Sequence, residues 1–193
     1  MALSPSLKKL LDKGQERYTR YQTAHRRHFG KPARGRILDF GCGGGGFLLA
    51  SLQAGLNAWG IEVDEARETQ YDQITGLMFP QWRDRFTLYP GRLLHYPSNS
   101  FDAIYSWFVF EHVTDPQTSL REIVRVMKPG GTLYIQAEEV RNHWEGHALA
   151  PWPAYMPREY AAAYLEGLGK PQNADFARLA VVSCSGRHMP KIR

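Results

Sequence analysis

The stretch Ile37-Leu38-Asp39-Phe40-Gly41-Cys42-Gly43-Gly44-Gly45-Gly46-Phe47 decides how this chain is read. A short apolar run carries an acid near its end. Glycine follows, broken only by Cys42, and Phe47-Leu48-Leu49-Ala50 then reads as the start of an apolar helix. The pattern predicts a strand, a tight turn and a helix. Glycines there let the backbone turn sharply and let a ligand approach the main chain. Gly41, Gly43 and Gly46 satisfy a GxGxxG fingerprint, and Glu62 lies about 20 residues beyond, where a ribose hydroxyl would be bound.

Asp39 selects among ligands. It stands two residues before the first glycine, facing whatever the turn holds. A dinucleotide places a pyrophosphate there, and like charges ~4 Å apart at an effective dielectric near 20 repel by roughly 4 kcal/mol. S-adenosylmethionine has no phosphate and carries a sulfonium and an ammonium, which an acid attracts. Asp39 and Glu62 around a glycine turn therefore favour an adenosyl cation. The plainer alternative is that Asp39 only caps the turn or helix that follows.

Alternation of strands and helices continues downstream. The sequence predicts helix over 5–28, with Leu7, Leu10 and Leu11 on one face, and strands over 36–40, 58–63, 85–89, 101–107 and 132–137. Helices are expected over 46–54, 65–76, 116–127 and 157–168. Lys128-Pro129-Gly130-Gly131 reads as a strong breaker between the helix from Pro116 and the fifth strand. Asp175–Val182 is apolar and fits either helix or strand. Such alternation gives a parallel sheet with right-handed crossovers and both faces covered.

Four blocks now carry a resemblance: ILDFGCGGG (37–45), GIEVD (60–64), NSFDAIYSWFVFEHV (99–113) and LREIVRVMKPGGTLYI (120–135). In this order they resemble a class I S-adenosylmethionine-dependent methyltransferase, over about half of the chain. The resemblance implies a Rossmann-like, doubly wound, mainly parallel sheet of order 3-2-1-4-5, with S-adenosylmethionine as cofactor. It implies that Asp39, Gly41, Cys42 and Gly43 surround the methionine end and that Glu62 takes the ribose hydroxyls. Val63 would lie on the adenine face, Leu93 would give it a backbone contact, and Ser106 and Trp107 would line the floor near the methyl. One position departs from the family: Gly91-Arg92 stands where Gly-Asp is frequent, and arginine offers donors only.

Glu111 and His112, just past the fourth strand, are candidate bases for a hydroxyl or amine acceptor. Histidine as a type exchanges its proton near neutral pH. His112 packing or capping the loop before Asp115-Pro116 is the plainer alternative. His143 and His147 fall in a loop that could form a lid. Trp82, Phe108, Phe110 and Trp144 read as core or lid. Cys42 and Cys184 form no disulfide framework and no metal-ligand spacing, and Cys42 reads as a small turn residue rather than a nucleophile.

The 193 residues, 43% of them apolar, suit one full hydrophobic core. The expected division is a basic helical segment over 1–35 and a cofactor-binding domain over 36–193. Residues 1–36 hold ten Lys or Arg against Asp12 and Glu16, a net of +8 within a chain of +5. An anionic partner is one reading: a phosphorylated substrate, nucleic acid or a membrane surface. The blander reading is a solvated helix that roofs the cofactor site. The start is lysine-rich rather than apolar, and no run approaches the ~20 residues of a membrane span, so a cytoplasmic location is expected.

The family's sheet usually closes with a further hairpin, and the final 25 residues do not show both of its strands. Either this end is shortened or the sheet closes differently. An uncovered fifth strand would then pair with the C-terminal segment or with a second chain, as in a homodimer. Two functions follow. One is methyl transfer to a small-molecule or lipid-linked acceptor. The other, favoured by Arg92 and the altered C-terminus, is a catalytically weakened methyltransferase-like binding or partner subunit. A dinucleotide oxidoreductase is a third reading, which Asp39 opposes.

Overall fold

The computed structural model describes residues 3–89, 93–137, 144–145, 150–151 and 158–169. The chain divides into two compact units, one holding the described residues up to Val109 and from Asp115 to Gln136, the other 110–114 and those from 137 onward.

The first unit carries a five-stranded sheet, every neighbouring pair parallel, in the order β3-β2-β1-β4-β5. The strands are β1 (Arg36–Phe40), β2 (Asn57–Glu62), β3 (Phe86–Leu88), β4 (Phe101–Trp107) and β5 (Met127–Gln136). The expected α/β class and strand order are the observed ones. Because the sheet is covered on both sides, β1 is buried along nearly its whole length, as a parallel strand requires. Ile37, Ala58, Ala103 and Tyr105 pack on the face that carries the first two helices, while Leu38, Ile61 and Ile104 are buried on alternate positions.

Helix α1 (Pro5–Phe29) has Pro5 in its first turn, and the Ser4 side chain accepts from the Leu7 N–H. It ends at Gly30, left-handed at φ 69°, with Arg26, Arg27 and His28 in the last turn, where cations suit the helix dipole. Its inward stripe runs Leu7, Gly14, Tyr21, His25, a helical period. Helix α2 (Gly46–Gln53) is apolar all round and buried from Gly46 to Leu52. The two helices meet backbone to backbone. A Cβ on Gly14 would fall on the Gly46 carbonyl group, and one on Gly46 would lie 2.6 Å from the Leu10 carbonyl oxygen.

Helix α3 (Glu65–Met78) is capped by Asp64 and followed by a 3-10 turn over Pro80–Arg85, which the sequence reading did not anticipate. Helix α4 (Pro116–Val126) is capped by Asp115, whose side chain accepts from the Thr118 N–H.

The fifth strand corrects the sequence reading. It begins at Met127, not Thr132, because Phe101 pairs with Met127 and Ala103 with Thr132. Lys128–Gly131 therefore bulge out opposite the single residue Asp102 instead of separating helix from strand. Proline and left-handed Gly130 (φ 74°) are tolerated at such a bulge.

The second unit contains β6 (Trp144–Glu145) and β7 (Ala150–Pro151), an antiparallel pair, and α5 (Arg158–Gly167). Among the described residues no sixth strand joins the main sheet. The segment 175–182, and with it the question of a closing hairpin, lies outside the described residues. Among these residues no helix is long and apolar enough to cross a membrane.

The helix contact can be tested. Alanine is the better helix former by about 1 kcal/mol, yet Gly14→Ala should destabilise the protein by about 1–3 kcal/mol, because the added methyl has only the backbone of α2 to displace. Urea denaturation midpoints measure this, and a stabilised variant would contradict the close crossing.

Candidate functional site

The site forms at the carboxyl ends of β1 and β2, where open α/β sheets bind ligands. After β1 the chain turns through Gly41 (φ 75°), Gly43 (φ 55°) and Gly45 (φ 82°), left-handed conformations that cost glycine nothing. The Gly41 and Cys42 N–H groups donate to the Ile61 carbonyl at 3.0 and 2.9 Å, which pins the turn to β2. A Cβ on Gly41 would run into the Val109 side chain.

Glu62 completes the turn. One carboxylate oxygen, Oε2, accepts from the Gly43 N–H at 2.7 Å, and Oε1 accepts from the Val63 N–H at 2.8 Å. Each oxygen keeps a further lone pair, so the held carboxylate can still accept two hydroxyls. Val63, just after β2, is 61% exposed, and Leu93, after β3, is 67% exposed. Between them the Tyr89 N–H donates to the Glu62 carbonyl at 2.8 Å. Position 92, with the arginine that departs from the family, lies outside the described residues.

Asp39 is 3% exposed, and its Oδ2 has no hydrogen-bond partner among the described residues. Burial pushes its pKa up to about 8. The Arg17 charge opposes that rise and the Glu62 carboxylate adds to it. Arg17 was not singled out from the sequence. It lies on the inward stripe of α1, between Gly14 and Tyr21, with its guanidinium 5.8 Å from the centre of the Trp107 ring. A cation on an otherwise buried helical stripe was the available signal. Arg17 and Asp39 form no ion pair within 4 Å, although the Arg17 charge acts on Asp39 from a distance.

Beneath Arg17 lies an aromatic layer. Tyr105 stacks on Phe47 at 3.8 Å and on Tyr134 at 5.5 Å, and Trp107 lies parallel to both tyrosines. Tyr21 of α1 meets Phe47, Tyr105 and Tyr134 edge-on. Trp107 thus shares the Asp39 face. Ser106, fully buried and with its hydroxyl unpartnered among the described residues, leaves β4 on the opposite face.

The Cys42 side chain does not face the site. It is buried against the sheet, where a Cβ on Gly60 would lie 2.8 Å from its sulfur. Burial pushes the thiol well above its ordinary range, so it stays protonated and inert, and the residue offers the site only its backbone.

Glu111 and His112 stand on a 3-10 turn, Phe110–His112, in the second unit. Both Glu111 oxygens are buried and without a hydrogen-bond partner among the described residues. His143 and His147 lie outside the described residues.

A second carboxylate shapes the first unit without belonging to the site. Glu122 Oε2 accepts from the Leu94 N–H at 2.8 Å and pairs with Arg125, which also donates to the Leu94 and Tyr96 carbonyls. This i,i+3 pair on α4 holds the 94–96 segment, and Arg125 keeps the Glu122 carboxyl below its usual range.

With this geometry in view, the similarities are specific. Residues 14–169 match the model of a family described as a methyltransferase domain. A tRNA U34 carboxymethyltransferase from Idiomarina loihiensis is 34% identical over 69% of this chain and 45% of its own length. A ubiquinone biosynthesis O-methyltransferase from Xanthomonas oryzae pv. oryzae is 36% identical over 53% of this chain and 43% of its own. The chain thus spans less than half the length of these curated relatives. The solved structure of a SAM-dependent methyltransferase from Aquifex aeolicus superposes with a TM-score of 0.56, covering 87% of this chain and 89% of that one at 21% identity, which shows a shared fold. A family match that begins inside α1 and runs through every strand of the main sheet leaves one assignment: the chain belongs to the class I S-adenosylmethionine-dependent methyltransferases.

Proposed function

We propose that this protein transfers the methyl group of S-adenosylmethionine to a small-molecule or lipid-linked acceptor. The observation that carries the reading is the Asp39 carboxyl, buried at the glycine turn with one oxygen unpartnered. An unmatched buried acceptor is costly unless a donor arrives, and a cationic donor matches it best.

The residues present fit that cofactor. Asp39 accepts from its ammonium, and Arg17, across the site and unpaired with Asp39, suits its carboxylate. Glu62, already fixed by two backbone donors, accepts the ribose hydroxyls on its remaining lone pairs. Val63 and Leu93 supply apolar contact for the base. A dinucleotide's pyrophosphate would oppose ionisation of Asp39 further and meet the Glu62 carboxylate nearby, which argues against the oxidoreductase reading.

The cofactor supplies an electrophilic methyl on a positively charged sulfur, so the protein's task is to position the acceptor and take its proton. Trp107 and the aromatic layer give that side of the site an apolar wall. For a hydroxyl or amine acceptor, Glu111 and His112 on the turn after β4 are the bases in this reading. The relative named for ubiquinone biosynthesis supports a small, lipid-linked acceptor class. The weakened-subunit reading rested on Arg92 and the C-terminal segment, and no described residue favours it.

Transfer of a labelled methyl group from S-adenosylmethionine into a metabolite and lipid extract tests the activity directly. Labelled product that is absent with heat-killed protein is expected, and binding without any transfer would favour a partner subunit.

Replacement of Glu62 by alanine removes charge-assisted acceptors worth about 1.5–3 kcal/mol each. The affinity for S-adenosylhomocysteine, measured by calorimetry, should fall at least tenfold while the far-ultraviolet spectrum is kept. An unchanged affinity would show that the carboxylate serves the turn alone.

Asp39 gives a pH signature. Its pKa near 8 means that the free protein holds a proton there at neutral pH, with Arg17, Glu62 and the buried Cys42 and Tyr105 around it. A cation must displace that proton. Affinity for S-adenosylmethionine should therefore rise with pH, by up to about tenfold per unit below pH 8, and fall again above it as the ligand's α-ammonium loses its proton. Asp39→Asn should flatten the profile. In the unliganded protein the sign reverses for stability. The unfolded chain releases this proton near pH 4, so the contribution of Asp39 to stability is lost as the pH rises from there to about 8.

A further inference from the structure

The end of the sheet opposite the cofactor site carries a second feature. A cavity of about 280 Å³ opens where β4 and β5 begin, between the loop after α1 and the Lys128–Gly131 bulge. Four charged side chains line it: Lys31, Arg34, Lys128 and Asp102.

Their charges do not cancel. Asp102 is fully engaged, Oδ1 by Lys128 Nζ at 2.8 Å and Oδ2 by the Arg36 N–H at 2.8 Å. That pair neutralises itself. Lys31 and Arg34 are exposed, and neither side chain has an acidic partner within 4 Å among the described residues. Two uncompensated cations therefore converge on one concave surface.

The walls are fixed. His25 Nδ1 donates to the Lys31 carbonyl at 2.7 Å, and Nε2 lies 3.2 Å from the Thr132 hydroxyl. This histidine ties the loop that carries Lys31 to the first residue of β5 past the bulge. Gly130, left-handed, and Gly131 line the cavity without side chains of their own.

We propose that this cavity binds a phosphoryl group, as free phosphate or on a small phosphorylated molecule. A phosphate monoester carries a charge of about −1.5 to −2 at neutral pH, which matches the two free cations. A lone carboxylate would leave one of them unanswered. Arginine presents the planar fork suited to phosphate oxygens, and lysine adds a point charge. The seven residues of β4 separate the cavity from the cofactor end by roughly 20 Å, so its occupant is a ligand distinct from the methyl cofactor. The strong positive charge of residues 1–36 thereby acquires a local purpose at the end of α1.

The test uses the full chain, labelled with ¹⁵N and titrated with inorganic phosphate, then with adenosine 5′-monophosphate, at constant ionic strength. Saturable shifts confined to residues 31–34 and 128–132 are expected. The double variant Lys31→Gln/Arg34→Gln changes only exposed, unpaired side chains, so its thermal midpoint should stay unchanged. Its phosphate affinity should fall at least tenfold, with S-adenosylhomocysteine binding as before. Tighter binding of the nucleotide than of phosphate points to a phosphorylated molecule, and equal binding to free phosphate. Absent or unsaturable shifts, or equal phosphate affinity in the double variant, would overturn the proposal. So would a short single-stranded RNA that binds at least a hundredfold tighter than phosphate with a steep salt dependence, the mark of a polyanion track. None of these readouts depends on methyl transfer.

Discussion

The Glu62 carboxylate spans the gap between β1 and β2, and the site depends on that span. By accepting from the Gly43 and Val63 N–H groups it fixes a glycine turn that has no side chains of its own to hold it. Such a turn is loose in isolation, since glycine loses more conformational freedom on folding than any other residue. Two short charge-assisted hydrogen bonds and two backbone bonds to Ile61 offset that loss. The same carboxylate faces outward with lone pairs to spare, so the group that builds the turn is also the one proposed to read the ribose.

A carboxyl group buried beside this turn is a cost the fold carries. Asp39 is buried with one oxygen unpartnered among the described residues, and burial pushes its pKa to about 8. A buried polar oxygen without a partner is costly to the fold. The arrangement makes sense as a site held ready for a cation. Arg17 moderates the cost at a distance without closing an ion pair.

Helix α1 joins the two ends of the molecule's first unit. Gly14 lets it lie directly on α2, which brings Arg17 over Trp107 and close enough to act on Asp39. Eleven residues after Gly14, His25 fastens the same helix to β5 at the other end of the sheet. One basic helix thus borders both the proposed cofactor site and, through His25, the proposed phosphoryl cavity.

Much of this was legible in the sequence by itself. The glycine run and the apolar 101–107 segment specify a parallel α/β sheet, and Asp39 with Glu62 carries the proposal of a cationic adenosyl ligand, because turn chemistry and charge are local properties. The strand over Phe101–Trp107 was placed to the residue. Other features needed the tertiary structure. Lys-Pro-Gly-Gly breaks helices and central strands alike, and only pairing with β4 decides that it bulges within β5. Arg17 looks like one charge among ten until the packing of Gly14 on Gly46 shows which face of α1 turns inward. Ser106 and Trp107 are neighbours in sequence but face opposite sides of the sheet, since a strand alternates. The charge of the first 36 residues was plain from composition. Which of those charges stay unpaired, and where two of them meet in one cavity, follows from partners distant in the chain.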